Sequence, residues 1–243
     1  MHSDGYHYWT LGSLYHQFGY VVEALDNYQA AMRAFQQAGD FISMGKMLSC
    51  LGELHAQLGE DGLSQTLCQT AVRVLQREND PVDAITSLRT LSRLHYRQNQ
   101  PSLALDPLKK ALHICEETGD ELNQAITLCD MAELYLNQNQ HLLAVSVSKQ
   151  ALDICHCLNH LDQVEAAVRC SATVLCHLAQ VCQHTSHHDL AIEHYLEALS
   201  RFEQLADSIS MARVSTQLAQ LHEQLGHVAV ALHYYQQALL PSE

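Results

Sequence analysis

Residues 48–71 read LSCLGELHAQLGEDGLSQTLCQTA, and their spacing decides the fold. Leu48, Leu51, Leu54 and Leu58 recur three and four residues apart, which places them on one face of a helix. That run stops at Gly59, a residue type that tolerates the left-handed conformation closing a helix. A second run passes through Ala71 and stops at Asn79, and the Asp that follows is a natural cap for the next helix. The segment therefore reads as two helices joined by a tight turn.

Working outward, the same pattern recurs every forty residues over the first 160. Leu11, Leu51, Leu91 and Met131 are in register, as are Leu14, Leu54, Leu94 and Leu134. The turns fall at Gly19, Gly59, Asn99 and Asn139, and Ala31, Ala71, Ala111 and Ala151 keep step. Junctions at Gly39-Asp40, Asn79-Asp80 and Gly119-Asp120 are matched more loosely by Asn159-His160. Two further copies are displaced by seven residues: Leu178, Ala191 and Ala198, then Leu218, Ala231 and Ala238. Seven residues are about two helical turns, and 161–184 contains neither Gly nor Pro. The expectation is a fifth repeat whose first helix is two turns longer, the alternative being an inserted loop near His160. The repeats then span approximately 5–40, 41–80, 81–120, 121–160, 161–207 and 208–240 of one domain, 1–243.

The composition agrees with an all-α chain. Apolar residues make up 47% and charged residues 16%, enough for a core and too little charge for a disordered tail. Leu, Ala and Gln dominate over β-branched and aromatic types. A net charge of −14 with thirteen Lys plus Arg argues against nucleic acid and against an anionic membrane surface. No run approaches the roughly 18 apolar residues of a membrane span, and the N-terminus lacks the features of a secretion signal. The nine cysteines, an odd number at mostly helical core spacing, read as reduced, buried small hydrophobes, which points to the cytoplasm.

The residues carry a family resemblance. Tyr8, Leu11, Gly12, Tyr15, Ala24, Tyr28 and Ala31 match the W-x2-L-G-x2-Y, A-x3-F, small-residue spacing of the tetratricopeptide repeat. Leu48, Leu51, Gly52, His55, Ser64, Cys68 and Ala71 repeat it, and so do Ser215, Leu218, Ala219, His222, Ala231, Tyr235 and Ala238. The forty-residue unit resembles the long variant found in kinesin light chains, spindle-orienting adaptors and bacterial signalling proteins. Pro101 falls at the start of a predicted helix, where proline is tolerated. Pro107 falls inside it, where a bend is expected at a cost of about 3 kcal/mol. The resemblance implies a right-handed α-solenoid of about six helix hairpins, with the first helices lining a concave groove that binds protein or peptide.

On the family pattern, Tyr6, Trp9, Ser13 and His16 face the groove in repeat one, and Lys46, Ser49, Glu53 and Gln57 in repeat two. Repeat three supplies Arg89, Arg93 and Arg97, four apart and so on one side of a helix. Repeat four supplies Cys129, Asp130, Glu133 and Asn137. Repeats five and six supply Cys176, Gln180 and His184, then Arg213, Gln217 and Gln220. Arg pairs bidentately with carboxylates. The arginine stripe therefore reads either as an anchor for an acidic side chain, C-terminus or phosphate, or as a solvated stripe paired with Glu53, Asp130 or Glu133. Trp9 reads as an interface anchor or as packing against the adjoining repeat or a missing N-terminal cap. The family's chaperone-tail clamp is absent, because its places hold Trp9, Ser13, Cys50, Thr86 and Thr90.

Seventeen histidines invite a metal or catalytic reading. His184, His187 and His188 sit at a turn, and His156 and His160 are one helical turn apart. Cys155, Cys157, Cys170, Cys176 and Cys182 share the same third of the chain. No paired C-x2-C or H-x3-H elements converge as a zinc site needs. His55, His95 and His222 occupy the repeat's Tyr place, so packing accounts for them. No G-x-S-x-G or phosphate-binding loop occurs, and the expectation is a chain with no enzyme activity, metal or cofactor.

Solenoid ends expose half a core unless capped, and no solvating helix follows Leu239-Leu240-Pro241-Ser242-Glu243. The chain therefore reads as a segment of a longer protein or as one that self-associates through its end repeats. Three functions follow in order: an adaptor binding a protein or peptide, a regulatory module for a fused or associated signalling enzyme, and a homo-oligomerisation module.

Overall fold

The computed structural model describes residues 2–158 and 164–239, and among them the secondary structure is twelve helices in six consecutive hairpins. The chain divides into two compact units, Met1–Gly119 and Asp120–Glu243. In the first unit α1 (His2–Gln17) pairs with α2 (Val21–Ala38), α3 (Phe41–Gln57) with α4 (Asp61–Arg77), and α5 (Ala84–Arg97) with α6 (Pro101–Thr118). In the second, α7 (Glu121–Asn137) pairs with α8 (His141–Leu158), α9 (Val164–His184) with α10 (His188–Gln204), and α11 (Ser208–Gln224) with α12 (Val228–Leu239). Within each unit a first helix also packs on the second helix before it, as α3 on α2 and α9 on α8. This is the stacking expected of an all-α repeat solenoid.

The turns follow the sequence signals. Gly19, Gly39, Gly59, Gly119 and Gly226 have φ between 69° and 79°, and Asn79, Asn99 and Asn139 between 57° and 64°. Ser186 (φ 61°) and Ala206 (φ 50°) take the same left-handed conformation without the residue type that favours it. Asp40, Asp120 and Asp207 cap the helices that follow, each accepting from the backbone N–H three residues on. Asp80 does not. Pro81 intervenes, two i→i−3 bonds (Ala84 N–H to Pro81 O, Ile85 N–H to Val82 O) form the entry, and α5 begins only at Ala84.

Pro101 opens α6, and the helix runs unbroken through Pro107 to Thr118. α9 has 21 residues against 17 for α3, α7 and α11. The Asn159-His160 junction, the start of the expected long helix at 161 and the 240–243 tail lie outside the described residues.

Small residues set how closely paired helices approach. A Cβ on Gly12 would lie 2.6 Å from the Tyr28 ring, and one on Gly52 would lie 2.5 Å from Cys68 Sγ. Ala24, Ala31, Ala104, Ala111, Ala144 and Ala151 have no exposed surface, which is how helix backbones come within reach of one another. Tyr28 and Phe35 in the first unit fill the space beside Ala24 and Ala31, and Tyr195 and Phe202 in the second fill that beside Ala191 and Ala198. In α8 the aromatic place holds Ser148, fully buried, whose hydroxyl has no hydrogen-bond partner among the described residues. The cysteines are thiols; six are buried, Cys50 and Cys182 are partly so, and Cys157 is exposed, unlike the expectation for a core position.

Two substitutions test this packing in urea unfolding. Gly52→Val should lower stability by about 1–3 kcal/mol, because Cys68 cannot retreat from the new methyls. Ser148→Ala should raise it by about 1 kcal/mol, because an unpaired buried hydroxyl is removed. Asp207 offers a test by pH. Burial alone would raise its pKa, but the Ser210 N–H and hydroxyl and the Arg169 charge outweigh it and hold the carboxyl below its usual value. The folded state therefore favours the ion. Its contribution is complete above the ordinary pKa of about 3.9 and is lost as pH falls through the lower folded value. Asp207→Ala should cost about 1–2 kcal/mol at pH 7, with the gap to wild type closing below about pH 4.

Candidate functional site: the first-helix faces

In the first unit, α1, α3 and α5 place the expected groove residues on a common face and link them by polar contacts between neighbouring repeats. Tyr6 Oη lies 3.4 Å from Ser43 Oγ, and His16 Nε2 lies 3.3 Å from Gln57. Lys46 Nζ is 2.7 Å from Asp83, a hydrogen bond that raises the lysine pKa against the effect of burial. Ser49 is buried and shares a 2.6 Å hydrogen bond with Ser87, so its hydroxyl is occupied within the stack. Ser13 is exposed and accepts from the Tyr28 hydroxyl at 3.4 Å.

Trp9 is half-buried. It stacks on Tyr6 (5.9 Å, 30°) and meets Phe35 edge-on (6.4 Å, 84°), at the margin of the core that contains Met47 and Leu51. Packing thus accounts for much of its surface. Beneath this face the Cys50 thiol is pushed up to about 12 by burial, and Cys68 to about 11 for the same reason. Such thiols behave as small hydrophobes.

The arginine stripe is engaged with its neighbours. Arg93 Nη2 lies 3.7 Å from Glu53 and donates to Thr90 Oγ1 at 3.2 Å. Arg97 donates to the Ala56 carbonyl at 2.8 Å and pairs with Asp61 at the start of α4, tying three helices together. Asp61 is a partner that the repeat pattern did not suggest. Pairing leaves both guanidiniums accessible, with side chains 55% and 43% exposed. They border a cleft of ≈ 120 Å³ with Glu53, Ala56, Gln57 and Leu94. Each guanidinium carries five donors, and these contacts use only part of them. Arg89 is half-buried on the same helix.

In the second unit α7, α9 and α11 build a different surface. Glu133, Asn137, His184 and Arg213 are exposed; Asp130, Gln180 and Gln217 are partly buried; Cys129 and Cys176 are buried. His177, which the sequence reading passed over, lies buried at the register place of Asp130 and Gln217. Its Nδ1 is 3.8 Å from Cys129 Sγ. Burial lowers its pKa first, Arg213 adds to the lowering, and Glu133 and Asp130 oppose it. Gln183 bonds Gln224 at 3.1 Å, and His184 stacks on His141 at 5.6 Å.

Three other histidines serve the turns. His55 Nδ1 is 2.7 Å from Glu60, His95 Nδ1 is 3.2 Å from Gln100, and His222 Nδ1 is 3.3 Å from His227 Nδ1, each linking to the residue five on. Among the described residues no three His, Cys, Asp or Glu side chains gather as a metal site would require, and no helix is long and apolar enough to cross a membrane.

The tetratricopeptide repeat family pattern matches residues 43–117 and 170–239. No curated protein matches the chain. Among solved structures it is similar to BtubC (BKLC) from P. vanneervenii, with 18% identity over 93% of this chain and 89% of that one, and a TM-score of 0.68. It is similar to a Signal Transduction ATPase with Numerous Domains protein with a tetratricopeptide repeat sensor, from Pyrococcus horikoshii (14% identity, 97% of this chain, 38% of that one, TM-score 0.74). It is also similar to a Rap protein complexed with Competence and Sporulation Factor (14% identity, 97% and 74% coverage, TM-score 0.63). At these identities the likeness speaks for the fold. With the family pattern covering more than half of a chain built of forty-residue helix hairpins, the chain belongs to the tetratricopeptide repeat family.

Proposed function

We propose that this chain is a protein- or peptide-binding scaffold that receives its ligand on the first-helix faces and performs no chemistry of its own. The observation that carries this reading is the pair Arg93 and Arg97, half exposed beside a cleft while already held in place by Glu53, Asp61 and the Ala56 carbonyl. Side chains positioned in advance lose little freedom on binding, and guanidiniums suit an acidic side chain, a C-terminal carboxylate or a phosphate. The Rap protein of like fold, solved with Competence and Sporulation Factor, supports a binding role. The accumulated buried thiols fit a reducing compartment such as the cytoplasm.

A second reading, a regulatory module governing a fused or associated signalling enzyme, draws support from the ATPase whose tetratricopeptide repeats are its sensor. An acidic ligand, and self-association through the end repeats, belong to the proposal and not to the fold.

The test is affinity capture from native lysate with wild type and an Arg89→Gln, Arg93→Gln, Arg97→Gln variant, matched for folding by circular dichroism. A partner held by wild type and depleted at least about tenfold by the variant is expected. Equal capture by both would overturn the role of the arginine stripe.

A further inference from the structure

A second cleft, of ≈ 610 Å³, lies between α4 and α6 with α5 as its floor. It opens on the face of α5 turned away from the arginine stripe. The floor is Leu88 and Leu91 with Val72 of α4, and His95 lies at its edge. Leu103 and Pro107, one turn apart on α6, make an apolar wall. Pro107 has no N–H to give the Leu103 carbonyl, and a proline inside a helix costs about 3 kcal/mol. This departure from helix rules sits in the wall of a cleft, where its flat ring is presented to whatever enters.

Two cations line the cleft, Arg73 on α4 and Lys110 on α6, and both are exposed. Arg73 makes hydrogen bonds along its own helix, to the Gln69 carbonyl at 3.4 Å and to Thr70 Oγ1 at 3.3 Å. Neither cation has a carboxylate partner among the described residues, in a chain with 27 Asp plus Glu to 13 Lys plus Arg. Asp106, one turn before Lys110 on the same wall and next to Pro107, disfavours a second anionic group beside the apolar residues, so the ligand carries a single head.

Size discriminates between occupants. The α6 wall runs from residue 103 to 110, a rise of about 10 Å. That is short for a partner helix, which anchors over several turns, while the cleft volume is that of a small-molecule site. We propose that the α4–α6 cleft binds a small amphiphile, an apolar body about 10 Å long bearing one carboxylate or similar anionic head. Arg73 and Lys110 take the head, and the body lies on Leu88, Leu91, Leu103 and Pro107. This site is separate from the first-helix face and stands or falls independently of it.

The probes are 8-anilinonaphthalene-1-sulfonate, followed by fluorescence, and decanoate as its competitor, both with the full chain. Saturable one-to-one binding with displacement by decanoate is expected. Arg73→Glu with Lys110→Glu should weaken it at least about tenfold. Leu103→Trp, which fills the cleft from a half-exposed position, should abolish it, and Lys149→Gln, an exposed cation on α8, should leave it unchanged. Amide shifts of the wild-type chain on adding decanoate should cluster on α4 and α6, a readout that needs no variant. Absence of saturable binding, shifts centred elsewhere, or binding indifferent to both cleft variants would overturn the assignment.

Discussion

Inside each hairpin a small residue on the first helix is followed sixteen positions later by the side chain of the aromatic place on the second. Gly12 precedes Tyr28 at this interval, Gly52 precedes Cys68 and Ala132 precedes Ser148. Where the distances are tightest, the Tyr28 ring and Cys68 Sγ occupy the volume a Cβ would need. The rest of the fold depends on this constraint. Only when two helices of a pair lie this close can the hairpin present a surface that buries Leu51, Leu54 and their equivalents of the following first helix. The buried aromatics among the described residues, Tyr28, Phe35, Tyr195 and Phe202, all lie on second helices, beside these close approaches.

The apolar seams supply cohesion, and the polar contacts between first helices add register. Tyr6–Ser43, Ser49–Ser87, Glu53–Arg93 and, in the second unit, Cys129–His177 and Gln183–Gln224 each join residues roughly one repeat apart. Exposed pairs of this kind contribute about 0–1 kcal/mol apiece. Their larger effect is on the first-helix surface, where each contact settles which atoms remain free. Ser49 is consumed by its neighbour, whereas Arg93 keeps donors to spare.

The repeat was legible because periodicity and turn chemistry agree: Gly and Asn stand where the backbone turns left-handed, and Asp40, Asp120 and Asp207 cap as their positions suggest. Ser186 and Ala206 were not legible, since neither type favours positive φ and only the register of flanking residues locates them. Asp80 misled because Pro81 shifts the helix start by three residues. Among candidate site residues, the common face of Arg89, Arg93 and Arg97 could be read from spacing alone. The Asp61 partner, the burial of Ser49 and the His177–Cys129 contact could not, because they depend on how neighbouring repeats tilt and slide. The α4–α6 cleft belongs to the same class: Pro107 was conspicuous as a helix breaker, yet nothing in its sequence neighbourhood says that α4 stands across from it.

Arg97 bonds a carbonyl at the end of α3 and a carboxylate at the start of α4 from the end of α5. One side chain thus spans the hairpin turn of one repeat and the seam to the next. An anion that captures this guanidinium competes with Asp61, so its binding free energy is reduced by whatever the internal contact was worth. By reciprocity, conditions that loosen the seam make the guanidinium easier to capture. Occupancy and repeat stiffness are then two readings of one equilibrium.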